Sequence, residues 1–182
     1  MVNTCKLKLT ILQQEILRYL FMKAGTSVNA RSIAVHLEVS PPAVSKALPL
    51  LEKGNYISVS KDKDSKRLSI SLNRDNSYIL WLKRADNLKQ LYESKFVQIL
   101  YNQFPEATVI VFGSYAFGED TATSDIDLAI IGAKEKELNL KTYEKILERS
   151  IRINYYNSFQ DLDKHFLNNL LNGIILKGGV EL

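Results

Sequence analysis

Two short apolar runs, Thr108 to Phe112 and Ile126 to Ile131, are joined by a loop that begins Gly113-Ser114 and ends Ser124-Asp125. Each run has the length of a buried strand. Side chains on a strand alternate between its faces, so Asp125 and Asp127 project from one face while Ile126 and Leu128 enter the interior. Two carboxylates then share a small volume and repel unless a cation lies between them. A hard ion such as Mg²⁺ or Mn²⁺, held by one or two carboxylates together with substrate phosphates, suits such a pair. Gly113 lets the chain leave the first strand with its backbone close to a phosphate, and Ser114 adds a hydroxyl and an amide donor. A helix starting at Ser114 or Tyr115 would present further free N–H groups. The spacing predicts a metal–triphosphate site: Asp125 and Asp127 bind metal and carry any catalysis, and Gly113, Ser114 and Ser124 hold the nucleotide.

On the stretches Val111-Phe112-Gly113-Ser114-Tyr115-Ala116-Phe117-Gly118 and Ser124-Asp125-Ile126-Asp127-Leu128-Ala129-Ile130-Ile131, about residues 105–182 resemble the minimal nucleotidyltransferases of the DNA polymerase beta superfamily. The resemblance implies a small mixed sheet flanked by helices, with Gly113 and Ser114 on the triphosphate and Asp125 and Asp127 on divalent metal. It also implies transfer of a nucleoside monophosphate to an acceptor hydroxyl, with pyrophosphate leaving. The sequence departs from that pattern twice. Phe117 stands where the family commonly carries a basic residue. Active members usually add a third carboxylate from a later strand, which completes the metal site and can accept the proton of the attacking hydroxyl. The later strand here, Ile151-Arg152-Ile153-Asn154-Tyr155-Tyr156, holds no acid. Asn154 is the nearest candidate for that third metal-facing position, and its amide cannot act as a base. Glu148, Asp161 and Asp163 fall in expected helices and read as solvated faces.

Charge divides the chain. Residues 1–80 hold 12 Lys and Arg against 6 acids, whereas residues 81–182 hold 12 against 14, so the net +4 is concentrated in the first half. One cysteine, Cys5, excludes an intramolecular disulfide and zinc fingers. No apolar stretch approaches the roughly twenty residues needed to span a bilayer, and the expectation is a soluble, cytoplasmic protein without a membrane partner. In the first half, Leu12, Ile16, Leu17 and Leu20 give an amphipathic helix over Leu9 to Met22. Asn29 caps a short helix through Leu37, the turn Glu38-Val39-Ser40 follows, and Ser40 with Pro41 opens a third helix to Lys53, stopped at Gly54. Its buried stripe is Val44, Ala47, Leu48 and Leu51, leaving Pro42, Ser45, Lys46 and Pro49 on the other side, the side expected in a DNA major groove. Pro49 predicts a kink or an early end. Two strands, Tyr56 to Ser60 and Arg67 to Leu72, then flank a tip with Lys61, Lys63 and Lys66 and read as a basic wing.

From Ser32 to Tyr56, with Ile33-Ala34-Val35-His36-Leu37, Ala43-Val44-Ser45-Lys46-Ala47-Leu48 and Leu51-Glu52-Lys53-Gly54-Asn55-Tyr56-Ile57, the chain resembles the winged helices of MarR- and ArsR-type transcription regulators. The resemblance, over about residues 8–74, implies duplex DNA binding, often as a homodimer on a palindrome, with Ser45, Lys46, Lys61, Lys63, Lys66 and Arg67 at the DNA. Five of these carry charge, and each phosphate neutralised adds salt-dependent affinity. The expected fold is α+β: a winged helix over 1–76, a helical linker and first helix of the second domain over 77–104, and a small mixed-sheet nucleotidyltransferase-like domain over 105–182. In that last part a helix is expected from an Asn139 cap to Arg149, a strand over Ile151 to Tyr156, a helix over Gln160 to Leu171 and a strand over Ile174 to Lys177, with Trp81 buried in the linker. His36 and His165 are isolated and read as structural. Two functions fit: an enzyme transferring a nucleotide to an RNA, protein or small-molecule hydroxyl, or a regulator whose transferase-like domain binds a nucleoside triphosphate and metal without chemistry.

Overall fold

A computed structural model describes residues 9–61 and 68–180. The chain divides into two compact units, Met1–Asn76 and Ser77–Leu182. In the first, α1 (Ile11–Met22) begins at Thr10, whose hydroxyl accepts the Gln13 amide N–H while the Gln13 side chain accepts from the Thr10 N–H. The buried Gln13 also donates its side-chain amide to the Ala47 carbonyl at 3.2 Å, which ties α1 to α3 (Pro41–Lys53). Asn29 and Ser40 cap α2 (Ala30–His36) and α3 by accepting from the amides of Ser32 and Ala43. β1 (Ile57–Lys61) and β2 (Leu68–Leu72) pair antiparallel, and Val28 bridges to Ile70 at the sheet's edge. Helix, helix-turn-helix and two-stranded wing in this order form a winged helix. α3 neither stops nor breaks at Pro49 but runs on to Lys53. Ser45, whose carbonyl loses its helical partner there, is exposed, whereas Val44, Ala47, Leu48 and Leu51 are buried and hold the helix in place.

In the second unit α4 (Ser77–Glu93) and α5 (Phe96–Gln103) are separate helices, parted at Lys95, which has φ 62°. The buried positions of α4 are Ile79, Lys83, Asn87 and Leu91, one every fourth residue. Trp81 lies off that stripe and is 66% exposed, not buried as its size suggests. The sheet has the order β5-β4-β3-β6, from β3 (Thr108–Phe112), β4 (Ile126–Ile131), β5 (Ile151–Tyr156) and β6 (Ile174–Lys177). β3 is antiparallel to β4 and β6, and β4 and β5 are parallel through α7 (Lys141–Leu147). On one face Val109, Val111, Ile126, Leu128 and Ile130 pack with Leu91, Phe96, Leu100 and Leu147. On the other, Ile110, Phe112, Ala129 and Ile131 pack with Phe159, Leu170 and the partly buried Phe166. α6 (Gly113–Phe117) is a single turn after β3. α7 follows Leu140 without a side-chain cap, and Asn139, the expected cap, is exposed. The helix expected from Gln160 is a 3₁₀ turn, Phe159–Asp161, and then α8 (Lys164–Leu171), because Asp163 accepts from the amides of His165 and Phe166 and starts α8 afresh. Among the described residues no helix is long and apolar enough to cross a membrane.

The loop after α6 is anchored by Asp120, a fully buried carboxylate. Lys83 of α4 pairs with its Oδ1, Asn87 donates to the same oxygen at 2.7 Å, and Arg149 Nη2 reaches Oδ2 at 3.2 Å. Asn87 also donates to the Tyr115 carbonyl, and the Tyr115 hydroxyl donates back to the Asn87 carbonyl. Burial pulls the Lys83 ammonium down to about 8 against the opposing pull of Asp120. A buried ion cluster that loses one sign leaves uncompensated charge. Asp120→Asn would strand two cations, and chemical denaturation should show a loss of about 3–5 kcal/mol, the size of a broken buried pair. Because the folded value of Lys83 lies below its ordinary 10.5, the unfolded chain binds more protons between the two, and Lys83's contribution to stability rises as pH climbs from about 8 to 10.5. The same denaturation series should show that slope removed by Lys83→Met.

Candidate functional site

The acidic pair sits at the mouth of β4, on the sheet face that carries Phe112 and Ala129. Ile126 and Leu128 are fully buried against the opposite helices, so strand alternation sends Asp125 and Asp127 the other way. Phe112, the last residue of β3, is the cross-strand partner of Asp127, which brings the next residue, Gly113, beside the carboxylate. Gly113 has φ +69°, and a Cβ built on it would lie 3.2 Å from Asp127 Oδ2. The Gly-Ser turn and the acidic pair thus share one corner. Ser114 is half-buried in the first turn of α6. Ser124 is held within its own loop: its Oγ accepts the Thr121 amide at 2.9 Å and lies 3.2 Å from Thr121 Oγ1. Ser124 therefore shapes the approach to Asp125.

Electrostatically the pair is unequal. Partial burial raises the Asp127 carboxyl above its ordinary value, with Arg152 opposing the rise and Asp125 adding to it. Asp125 is neutralised directly, since Arg152 Nη2 lies 2.8 Å from its Oδ2. The parallel register sets this: Asp127 stands across from Arg152, and Asn154 one step further along the same face, across from Ala129. Asn154, expected at the third metal-facing place, donates its side-chain amide to the Leu128 carbonyl at 3.3 Å. The residue beside the pair is Arg152, and sequence reasoning missed it because register across a βαβ crossover is not a local property. Among the described residues no group of three or more His, Cys, Asp or Glu is placed to hold a metal. The two carboxylates supply hard oxygens that fit one divalent cation whose other ligands come from phosphate and water. Asp161 and Asp163 cap their turns and so act on their own backbone, whereas the exposed Glu148, which ends α7 with φ 50°, lines a cavity with Ser124 and Asp125. Phe117, in place of a basic residue, lies under the Arg84 guanidinium, 5.9 Å from its ring centre.

In the winged helix, Ser45 and Lys46 are exposed on α3 and Lys61 is exposed at the end of β1. Lys63, Lys66 and Arg67 lie outside the described residues.

Residues 93–169 match the family model of the nucleotidyltransferase domain. The second unit carries a nucleotidyltransferase domain. The match includes Gly113, Ser114, Asp125, Asp127 and the whole of β5. No curated protein matches the chain. Among solved structures, a point mutant of Lactococcus lactis ZitR is 28% identical at a TM-score of 0.41, over 57% of this chain and 69% of that one. A MepR mutant from a multidrug-resistant S. aureus clinical isolate is 27% identical at 0.36, over 40% and 53%. S. aureus MepR in a complex with DNA is 24% identical at 0.38, over 52% and 81%. The chain spans about half the length of that MepR mutant.

The nucleotidyltransferase domain depends on Gly113 in two ways, a left-handed backbone and the nearness of Asp127. Gly113→Ala should lower stability by about 1–2 kcal/mol, the cost of holding an L-residue in that region. Urea denaturation of the full chain measures it, and an unchanged midpoint would mean that the turn relaxes away from Asp127.

Proposed function

We propose that the chain is a DNA-binding winged-helix regulator whose nucleotidyltransferase domain is a nucleotide sensor: it binds a divalent-metal nucleoside triphosphate without transferring it. The observation that carries this reading is the occupancy of β5. Arg152 and Asn154 hold the β5 positions across from Asp127 and Ala129, where the third carboxylate of the family is expected, and neither can take a proton from an attacking hydroxyl. The rest of the corner suits binding. Asp125 and Asp127 would hold Mg²⁺ or Mn²⁺, which supplies the positive charge that joins carboxylate to phosphate. Gly113 brings backbone within reach of the same place, and Ser114 offers a hydroxyl donor.

Replacing both Asp125 and Asp127 by Asn should abolish Mg²⁺-dependent triphosphate binding in calorimetry while leaving the thermal midpoint nearly unchanged. Wild-type affinity should fall as pH drops through the raised value of Asp127, because only the carboxylate form binds metal. An equal affinity in the double variant would overturn the site. A second reading, transfer to an RNA, protein or small-molecule hydroxyl, is favoured by the nucleotidyltransferase match itself. Incubation with labelled triphosphates and Mg²⁺, with and without cell extract, separates the two: label carried onto an acceptor means an enzyme, and binding without transfer means a sensor.

For the winged helix, support comes from the exposed Ser45 and Lys46 on α3 and the basic run at the wing. Phosphate contacts position a protein and base contacts specify sequence. Removing the charges of Lys61, Lys63, Lys66 and Arg67 should weaken duplex binding and flatten its salt dependence, and Lys46→Ala should alter sequence preference. Gel shifts of the full chain across ionic strength test this, and no affinity for genomic duplex at low salt would turn the wing into a protein contact.

A further inference from the structure

The ion pair between Arg152 and Asp125 has no evident structural purpose. Arg152 is 69% exposed and Asp125 25%, and exposed pairs of this kind contribute between nothing and about 1 kcal/mol to stability. Yet the pair stands on the face of β4 and β5 where the acidic corner opens, with Asp127 directly across from Arg152. A guanidinium is a cation that cannot lose its proton, and its planar fork matches carboxylate and phosphate oxygens equally well. Being mostly in solvent, it is free to exchange one oxygen partner for another at small expense.

We propose that Arg152 is a tethered counter-ion of the nucleotide site. In the empty site it occupies Asp125 and competes with divalent metal. When a metal–triphosphate arrives, the metal takes the carboxylates and Arg152 transfers to the phosphates. This rests on the nucleotide-site reading above and adds its regulation, since bare metal is held less tightly while metal–nucleotide is favoured. No bond is made or broken, only ion pairs exchanged. The basic charge missing at Phe117 is thereby supplied from β5.

Opposite signs distinguish this from any structural role. Arg152→Ala and Arg152→Gln, both at an exposed position, should bind Mn²⁺ alone about two- to fivefold more tightly than wild type, the size of one exposed ion pair. The same variants should bind the Mn²⁺ complex of a non-hydrolysable ATP analogue about tenfold more weakly, the size of one hydrogen bond to a charged group. Arg152→Lys, which keeps the charge but not the fork, should retain the wild-type affinity for Mn²⁺ and recover only part of the nucleotide affinity. Electron paramagnetic resonance counts free Mn²⁺, and fluorescence polarisation follows the analogue. Unchanged Mn²⁺ affinity, or a shift of both affinities in one direction, would overturn the proposal alone. Failure of wild type to bind either Mn²⁺ or the analogue would overturn the underlying site reading, and the proposal with it.

Discussion

A carboxylate with no access to water must be matched by charge inside the protein, and Asp120 is matched by three side chains from two separate parts of the chain. Lys83 and Asn87 come from α4 and Arg149 from the turn between α7 and β5. The loop that carries Ser124 and Asp125 grows from this point, and the strand that carries Arg152 begins two residues after Arg149. Gly118 reinforces the same junction, because a Cβ there would run into the Leu80 carbonyl of α4. The site's acids and its opposing cation are therefore set by one buried ion cluster. Arg149 of that cluster also lines the cavity beside Ser124 and Asp125.

The corner itself is a balance of like and unlike charge. Two carboxylates on one strand face would raise each other's affinity for protons, and the raised Asp127 shows burial and Asp125 acting in that sense. Arg152 relieves the repulsion from the neighbouring strand without closing the site, since it approaches from solvent. A buried cation in its place would have been a permanent lock, costly to desolvate and slow to release. An acid in its place would have deepened the repulsion and demanded a metal outright.

Much of this was legible in the sequence where the physics is local. Strand alternation around Asp125 and Asp127, the turn at Gly113 and the caps at Asn29 and Ser40 each depend on neighbours within a few residues, and each reads correctly. What escaped depends on distance along the chain or on a pattern that looks wrong locally. The buried stripe of α4 runs Ile79, Lys83, Asn87, Leu91, and two of its four members resemble surface residues. Counting apolar side chains therefore put Trp81 inside, whereas the packing turns it outward. Lys83 and Asp120 stand 37 residues apart, and only the fold shows that the two polar misfits satisfy each other. Of the kink or early end expected at Pro49, the early end is overridden by four buried side chains of the same helix, which runs on to Lys53.

Register explains why the chemistry of the third position could not be settled by composition. β5 offers Arg152 and Asn154 on the same face, and either could stand beside Asp127 until the parallel pairing is known. A slip of two residues along β5 would place the amide across from Asp127 and move the guanidinium two residues toward the strand's start, across from Asp125. The observed register sets the guanidinium across from Asp127, where it pairs with Asp125, and leaves the amide across from Ala129. The acidic corner therefore carries a cation of its own, Arg152, set against Asp125 by the parallel register of β4 and β5.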